Sequence, residues 1–286
     1  MDAFTETLQA LDRQRIRIRW MFALHVALYA AALGLLFVSQ PLGMTLGMAN
    51  AAYYLLWLRR RMKAYESGMA RACVTYGLCA PWQEVDYTGD HSLTAQDLRE
   101  LQILPLHDAK NALLSLHGFS AVAGTLQVKG SEVTLHYPAQ AGGRKSYKFL
   151  SGTLLTAQHP ANRCAGDWLL VTHGLLDAQA QQEFSARCGY SPVDCAAQEF
   201  AVYSHLSGAQ LPAAAVRRAE KLIQSRPAVA AMRLWPSGAA IYLKGRFYTG
   251  RYRPNITPDE TLLRQNGLPE RDEVMAFFRS WSQFES

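Results

Sequence analysis

Cysteine is scarce, with five residues in 286, too few for a disulfide-built scaffold. Charge is scarce as well, at 18% of residues, and it is missing altogether from two long stretches. The common catalytic signatures are missing too. There is no GxGxxG, no Walker A loop, no HExxH and no GxSxG, so phosphate cradles, helix-borne zinc pairs and nucleophile elbows are not present in their usual sequence form. Ser120 lies in Gly118-Phe-Ser-Ala-Val and lacks the second glycine of an elbow. Cys73 and Cys79, and Cys188 and Cys195, are spaced more widely than the roughly two to four intervening residues of zinc sites. With Cys164 they read as free, partly buried thiols. No two histidines stand at i,i+4 spacing, and Asp90-His91 and His107-Asp108 are mere chain neighbours whose side chains diverge. No motif calls for a metal or a cofactor.

What the chain does have is a pair of uncharged apolar runs. Trp20–Ser39 (WMFALHVALYAAALGLLFVS) contains twenty residues, with His25 as its only titratable imidazole. At ~1.5 Å rise it reaches ~30 Å, the thickness of a hydrocarbon core. Leu42–Leu58 (LGMTLGMANAAYYLLWL) is close to the lower limit for spanning. Pro41 lies between them and biases Gln40 away from helix, which predicts a tight helical hairpin. A signal peptide would have a shorter core and a cleavage site, and no second run would follow it. Small residues recur at four-residue spacing (Ala27, Ala31; Ala30, Gly34; Gly43, Gly47, Ala51), which suits close helix approach within the pair or with another copy.

The flanks are basic. Arg13, Arg15, Arg17 and Arg19 precede the first run, Arg59, Arg60, Arg61 and Lys63 follow the second, and the loop between is uncharged. By the positive-inside rule both ends face the cytoplasm, with Trp20 and Trp57 at the shared interface. The expected location is the inner (plasma) membrane, multi-pass, with cytoplasmic termini. Residues 1–63 carry eight basic and three acidic groups, net +5, of a total of +6. The remainder is almost neutral, so the basic pI reflects the membrane borders and gives no reason to expect a nucleic-acid partner.

The expected layout is a membrane anchor over 1–63, with spans at about 20–39 and 42–58, a helical stalk and linker over 64–91, and one domain over 92–286. In that domain, Ser92-Leu-Thr94-Ala-Gln-Asp97 predicts a capped helix ended by Pro105. Residues 122–128, 132–137, 147–156, 168–172, 200–204, 232–235 and 240–243 read as strands, with KGS at 129–131 and AQAGG at 139–143 as turns. Residues 247–253 are a further candidate strand. Helices are expected at 178–188, at 212–225 with Pro212 in the first turn, from a Thr257 cap, and at 269–284. The class is therefore α+β, a transmembrane hairpin followed by a cytosolic domain with a mostly antiparallel sheet and flanking helices.

The order of features also resembles a family of bacterial two-span membrane proteins, domain-of-unknown-function family 3137. The residues that carry the likeness are the ILP segment at Ile103–Pro105, KFLSGTLL at Lys148–Leu155 and EFAVYSHL at Glu199–Leu206. Around Ala178–Cys195 the chain departs from that pattern. The resemblance implies fold and topology, and it brings no activity or catalytic residue.

One cluster interleaves cations with aromatics, Tyr242-Leu-Lys244-Gly-Arg246-Phe-Tyr-Thr-Gly-Arg251-Tyr-Arg253. Lys244, Arg246, Arg251 and Arg253 are candidate anion-binding residues. The competing reading is an ordinary hairpin whose cations discourage edge pairing. With no catalytic motif, the first expectation is a partner-binding or assembly module tied to the lipid bilayer, with a protein partner or self-association through its helices. The second is a membrane-associated enzyme or sensor that binds an anionic headgroup or a small phosphate-bearing ligand.

Overall fold

The computed structural model describes residues 2–106, 112–141, 144–159, 166–195, 197–206, 210–248, 254, 256–265 and 267–281, apart from the side chains of 138–147. The chain divides into two compact units, Met1–Gly77 with Tyr248–Gln265, and Leu78–Phe247 with Asn266–Ser286.

The first unit is helical. Helix α1 (Ala3–Val38) has two halves. In its first half Phe4, Leu11, Arg15 and Ile18 are buried, a seven-four-three spacing that makes a heptad seam. Its second half is the apolar run, and among the described residues α1 is the one helix long and apolar enough to cross a membrane. Ser39 alone interrupts the chain, at φ −151° and ψ 103°. Helix α2 (Gln40–Tyr53) then begins with Pro41 in its first turn, where a missing N–H costs nothing. Proline therefore starts the second helix there.

α2 returns along α1. Asn50 Nδ2 donates to the His25 carbonyl at 3.1 Å and Asn50 Oδ1 lies 2.9 Å from His25 Nδ1. The Tyr53 hydroxyl donates to the Met21 carbonyl at 3.4 Å. Gly43 permits the close approach, since a Cβ there would lie 2.7 Å from the Leu36 nitrogen. The second apolar run is not one α-helix. It passes from the 14 residues of α2 into a π-helical turn, Tyr54–Leu58, and then into α3 (Arg59–Cys73). α3 buries Tyr65, Met69, Ala72 and Cys73, and its Gly68 lies against Leu11. A short helix, Glu260–Arg264, also belongs to this unit. Its cap is Asp259, whose carboxylate accepts from Leu262 N–H at 2.7 Å, so the expected Thr257 cap is displaced by two residues.

The second unit is built on one sheet. Its strands are β1 (Gln83–Gly89), β2 (Leu113–Ala123), β3 (Leu126–Ala141), β4 (Arg144–Gln158), β5 (Trp168–Thr172), β6 (Ser191–Val193), β7 (Phe200–Ser204), β8 (Val229–Trp235) and β9 (Gly238–Lys244). The order is β1-β2-β3-β4-β9-β8-β5-β7-β6, and every described pairing is antiparallel. Helices α4 (Ala95–Leu101) and α5 (Ala178–Cys188) cover one face, where Leu98, Phe184, Leu135, Leu154, Leu169 and Tyr242 form a common core. Because side chains alternate along a strand, Trp168 points to the other face. There it meets Trp281 of the C-terminal helix Arg271–Trp281 edge-on, with ring centroids 6.0 Å apart. Helix α6 (Ala213–Ser225) packs against that C-terminal helix and β8. The chain is therefore α+β, with a long apolar N-terminal helix and an antiparallel sheet flanked by helices.

Several local expectations move. Lys129-Gly130-Ser131 is not a turn, since β3 runs straight through it and the turn is at Gly124, with φ +70°. Gly130 is needed for packing, because a Cβ there would lie 2.3 Å from the Phe119 ring. Pro212 caps α6 rather than opening it. Phe247 and Tyr248 are not in a strand, and residues 249–253 lie outside the described residues.

Candidate functional site

The cations that flank the two apolar runs are exposed, with one exception. Arg13, Arg17, Arg19, Arg59, Arg60, Arg61 and Lys63 face outward, whereas Arg15 is buried and pairs with Asp12 at 2.8 Å. Between Trp20 and Trp57 the helices of the first unit expose 15 of the 20 large apolar side chains exposed among the described residues. Phe37 is 93% exposed and Val38 84%.

The structure does not gather the four candidate anion-binding residues into one described site. Arg251 and Arg253 lie outside the described residues. Lys244 is exposed at the end of β9. The Arg246 guanidinium is spread over the sheet, donating to Ser151 Oγ at 2.9 Å and Thr134 Oγ1 at 2.8 Å, and those two hydroxyls are 3.0 Å apart. Arg246 thus ties β3 to β4. Two of the thiols are held back from ionising. Burial pushes Cys79 up to about 12, and burial raises Cys188 as well. No group of three metal-ligating side chains occurs among the described residues. His107, Asp108 and Cys164 lie outside them.

The concave site of the sheet unit is elsewhere. On the α4 face, Lys129 of β3 stands beside Thr156 of β4, Thr156 beside Ala240 of β9, and Ala240 beside Arg233 of β8. In the next row Gln158, Gly238 and Trp235 are neighbours. β9 contributes only alanine and glycine here, so the floor is low in the middle and high at its flanks. The Trp235 indole lies across Gly238, where a Cβ would meet it at 2.7 Å. Glu100 of α4 stands on the wall. The result is a groove of about 570 Å³.

Its rear is a hydroxyl network. Ser115 and Ser131 Oγ are 2.7 Å apart, and Ser92 Oγ lies 3.2 Å from Ser115 and 3.4 Å from Ser131. Two backbone positions beside this wall are left-handed without being glycine, His91 at φ +61° and His117 at φ +53°. Burial keeps the His117 imidazole below its usual pKa, and its Nδ1 is 3.0 Å from the Tyr87 hydroxyl.

Arg233 is anchored from behind. Its Nε and Nη2 reach Asp167 at 3.0 and 2.6 Å, and Nη1 donates to the Glu100 carbonyl at 2.7 Å. The guanidinium lies 5.5 Å from the Trp235 ring centroid, within cation–π range. A second cavity of about 230 Å³, between α4 and α5, is lined mainly by apolar residues such as Leu98, Leu104 and Phe184. Sequence reasoning missed the groove because its lining comes from five strands and a helix, over a floor that β9 completes. Only the register brings them together, and no local motif carries it.

No family model and no curated protein matches the sequence. Among solved structures the chain is similar to the mycobacterial trehalose monomycolate transport factor A, TtfA, at 8% identity. That likeness covers 76% of this chain and 93% of the other, with a TM-score of 0.36.

Proposed function

We propose that this chain is an integral protein of the inner (plasma) membrane whose sheet unit is a binding or assembly module held near the bilayer. In this reading α1 and the apolar run after it cross as a hairpin, with both termini in the cytoplasm. The two-span family resembled in sequence belongs to the same reading.

One observation carries it, the band of exposed apolar side chains between Trp20 and Trp57. Leaving each such side chain in water forgoes about 1.5–3 kcal/mol, and soluble monomers rarely show contiguous apolar patches above a few hundred Å². A bilayer covers such a band, because helices satisfy their own backbone hydrogen bonds in hydrocarbon. The flanking cations suit the headgroup region.

Two measurements test the proposal. Full-length protein should sediment with membranes and resist alkaline carbonate, and release into the supernatant overturns the anchor. Affinity purification in mild detergent should recover an oligomer or a stoichiometric partner. Recovery of the isolated monomer alone counts against the assembly role.

A further inference from the structure

We propose that the groove above β9 binds a small zwitterion, a molecule with an ammonium group at one end and a phosphate or carboxylate at the other. This inference does not depend on the membrane anchor, since every residue it uses lies within the sheet unit.

The argument begins with two charges that do not meet. Lys129 on the floor and Glu100 on the helical wall both line the groove, yet neither side chain makes an ion pair among the described residues. Glu100 Oε1 accepts from Gln96 Nε2 at 3.0 Å, which leaves Oε2 available. Both side chains are exposed, and they set opposite charges on two sides of one concavity. A purely anionic ligand would satisfy Lys129 and lie near the carboxylates of Glu100 and Asp97. A purely cationic one would satisfy Glu100 and meet Lys129. A ligand that carries both charges satisfies both walls at once.

The remaining lining fits that orientation. Ser120, the Lys129 neighbour on β2, and Thr156, its neighbour on β4, offer hydroxyls to an anionic end. Trp235, with the Arg233 guanidinium 5.5 Å from its ring centroid, adds aromatic surface to the lining beside the ammonium end. Arg233 is neutralised by Asp167, so it stiffens the tryptophan without adding net charge. The size is also suitable, as about 570 Å³ is within the usual range for small-molecule sites.

Two sources supply this chemistry, a soluble amino acid or phosphoethanolamine, and the headgroup of phosphatidylethanolamine. The test uses full-length protein in a maltoside detergent or in nanodiscs and reads tryptophan fluorescence, with Trp235→Phe identifying the groove signal. Phosphoethanolamine or glycine should give a saturable change that is lost in Trp235→Phe. It should be weakened about tenfold or more in Lys129→Gln and in Glu100→Gln, and unchanged in Lys244→Gln. Ethanolamine alone and inorganic phosphate alone should bind at least about tenfold more weakly. A signal that depends on Lys129 and Glu100 only in phosphatidylethanolamine nanodiscs, and not in phosphatidylglycerol ones, assigns the lipid as source. Phosphate binding as tightly as phosphoethanolamine overturns the proposal. So does a zwitterion response indifferent to Lys129 and Glu100, or no response in any arm.

Discussion

Asp167 and Arg233 face each other as a two-pronged pair, carboxylate to guanidinium at 3.0 and 2.6 Å, with side chains 23% and 12% exposed. Asp167 is also within 3.4 Å of the Tyr190 hydroxyl and 3.9 Å of His205 Nε2. Removing one member of such a pair strands the other charge with little water. Arg233→Leu should therefore cost about 2–4 kcal/mol, somewhat below the cost in a fully buried pair. Arg233→Lys should cost less, because it keeps the charge and loses the fork geometry. For a unit of this size that corresponds to about 2–4 °C per kcal/mol in melting temperature. Thermal melts by circular dichroism check the order, and a neutral Arg233→Leu change refutes the anchoring role.

The small-residue pattern of the apolar runs yields a comparison between glycines. A Cβ at Gly43 would strike Leu36, whereas Gly34 and Gly47 have nothing within 4 Å of theirs. Gly43→Leu should separate α1 from α2 at a cost of about 1–3 kcal/mol, typical of overpacking. Gly34→Leu and Gly47→Leu should leave the pair intact. Melts in detergent separate the two outcomes. Equal losses at all three positions would mean that the open glycines contact another copy.

Much of the fold is legible in the sequence, for local reasons. Thr94 and Asp97 form a reciprocal capping box, and both partners lie within four residues. Pro236-Ser237 joins β8 to β9, and α5 spans the expected 178–188. Expectations moved where a residue has two uses. Gly130 looks like a turn and is instead a packing site under Phe119. β1 was not expected, because its Gln83–Gly89 pattern is almost wholly polar and its pairing with β2 is interrupted twice. The groove was not legible at all. Lys129, Thr156, Ala240 and Arg233 become neighbours only through the insertion of β9 between β4 and β8.

Asp177 caps α5, accepting from Ala180 N–H at 2.8 Å, with Lys148 Nζ 3.3 Å away. The backbone N–H bond, with the lysine adding to it, holds its carboxyl below the usual carboxylate pKa. A folded-state pKa below the unfolded one stabilises at any pH above the unfolded value and fades as pH falls through the folded value. Asp177→Ala should cost about 1 kcal/mol at neutral pH, and Asp177→Asn, which still caps, should cost less. Urea titrations carried down below the usual carboxylate pKa should show the Asp177→Ala deficit shrinking as pH falls. A deficit that is constant with pH contradicts the charged cap.

His117 gives the clearest acid sensitivity. Burial keeps its imidazole below the ordinary pKa, Asp90 opposes that effect, and the Arg246 guanidinium adds to it. The unfolded chain therefore binds a proton as pH falls through about 6.5, before the folded one does. By linkage, stability drops over that interval, and the histidine contributes nothing to the slope above neutrality. His117→Asn tolerates the left-handed backbone and cannot titrate, so it should flatten the fall in stability as pH drops below about 6.5. Arg246→Gln should make the fall smaller and end it at a higher pH, because removing a charge that disfavours the imidazolium brings the folded pKa up toward the unfolded one. Denaturant midpoints at half-unit pH steps resolve both shifts. If wild type and His117→Asn fall in parallel, the ring is not buried in its neutral form.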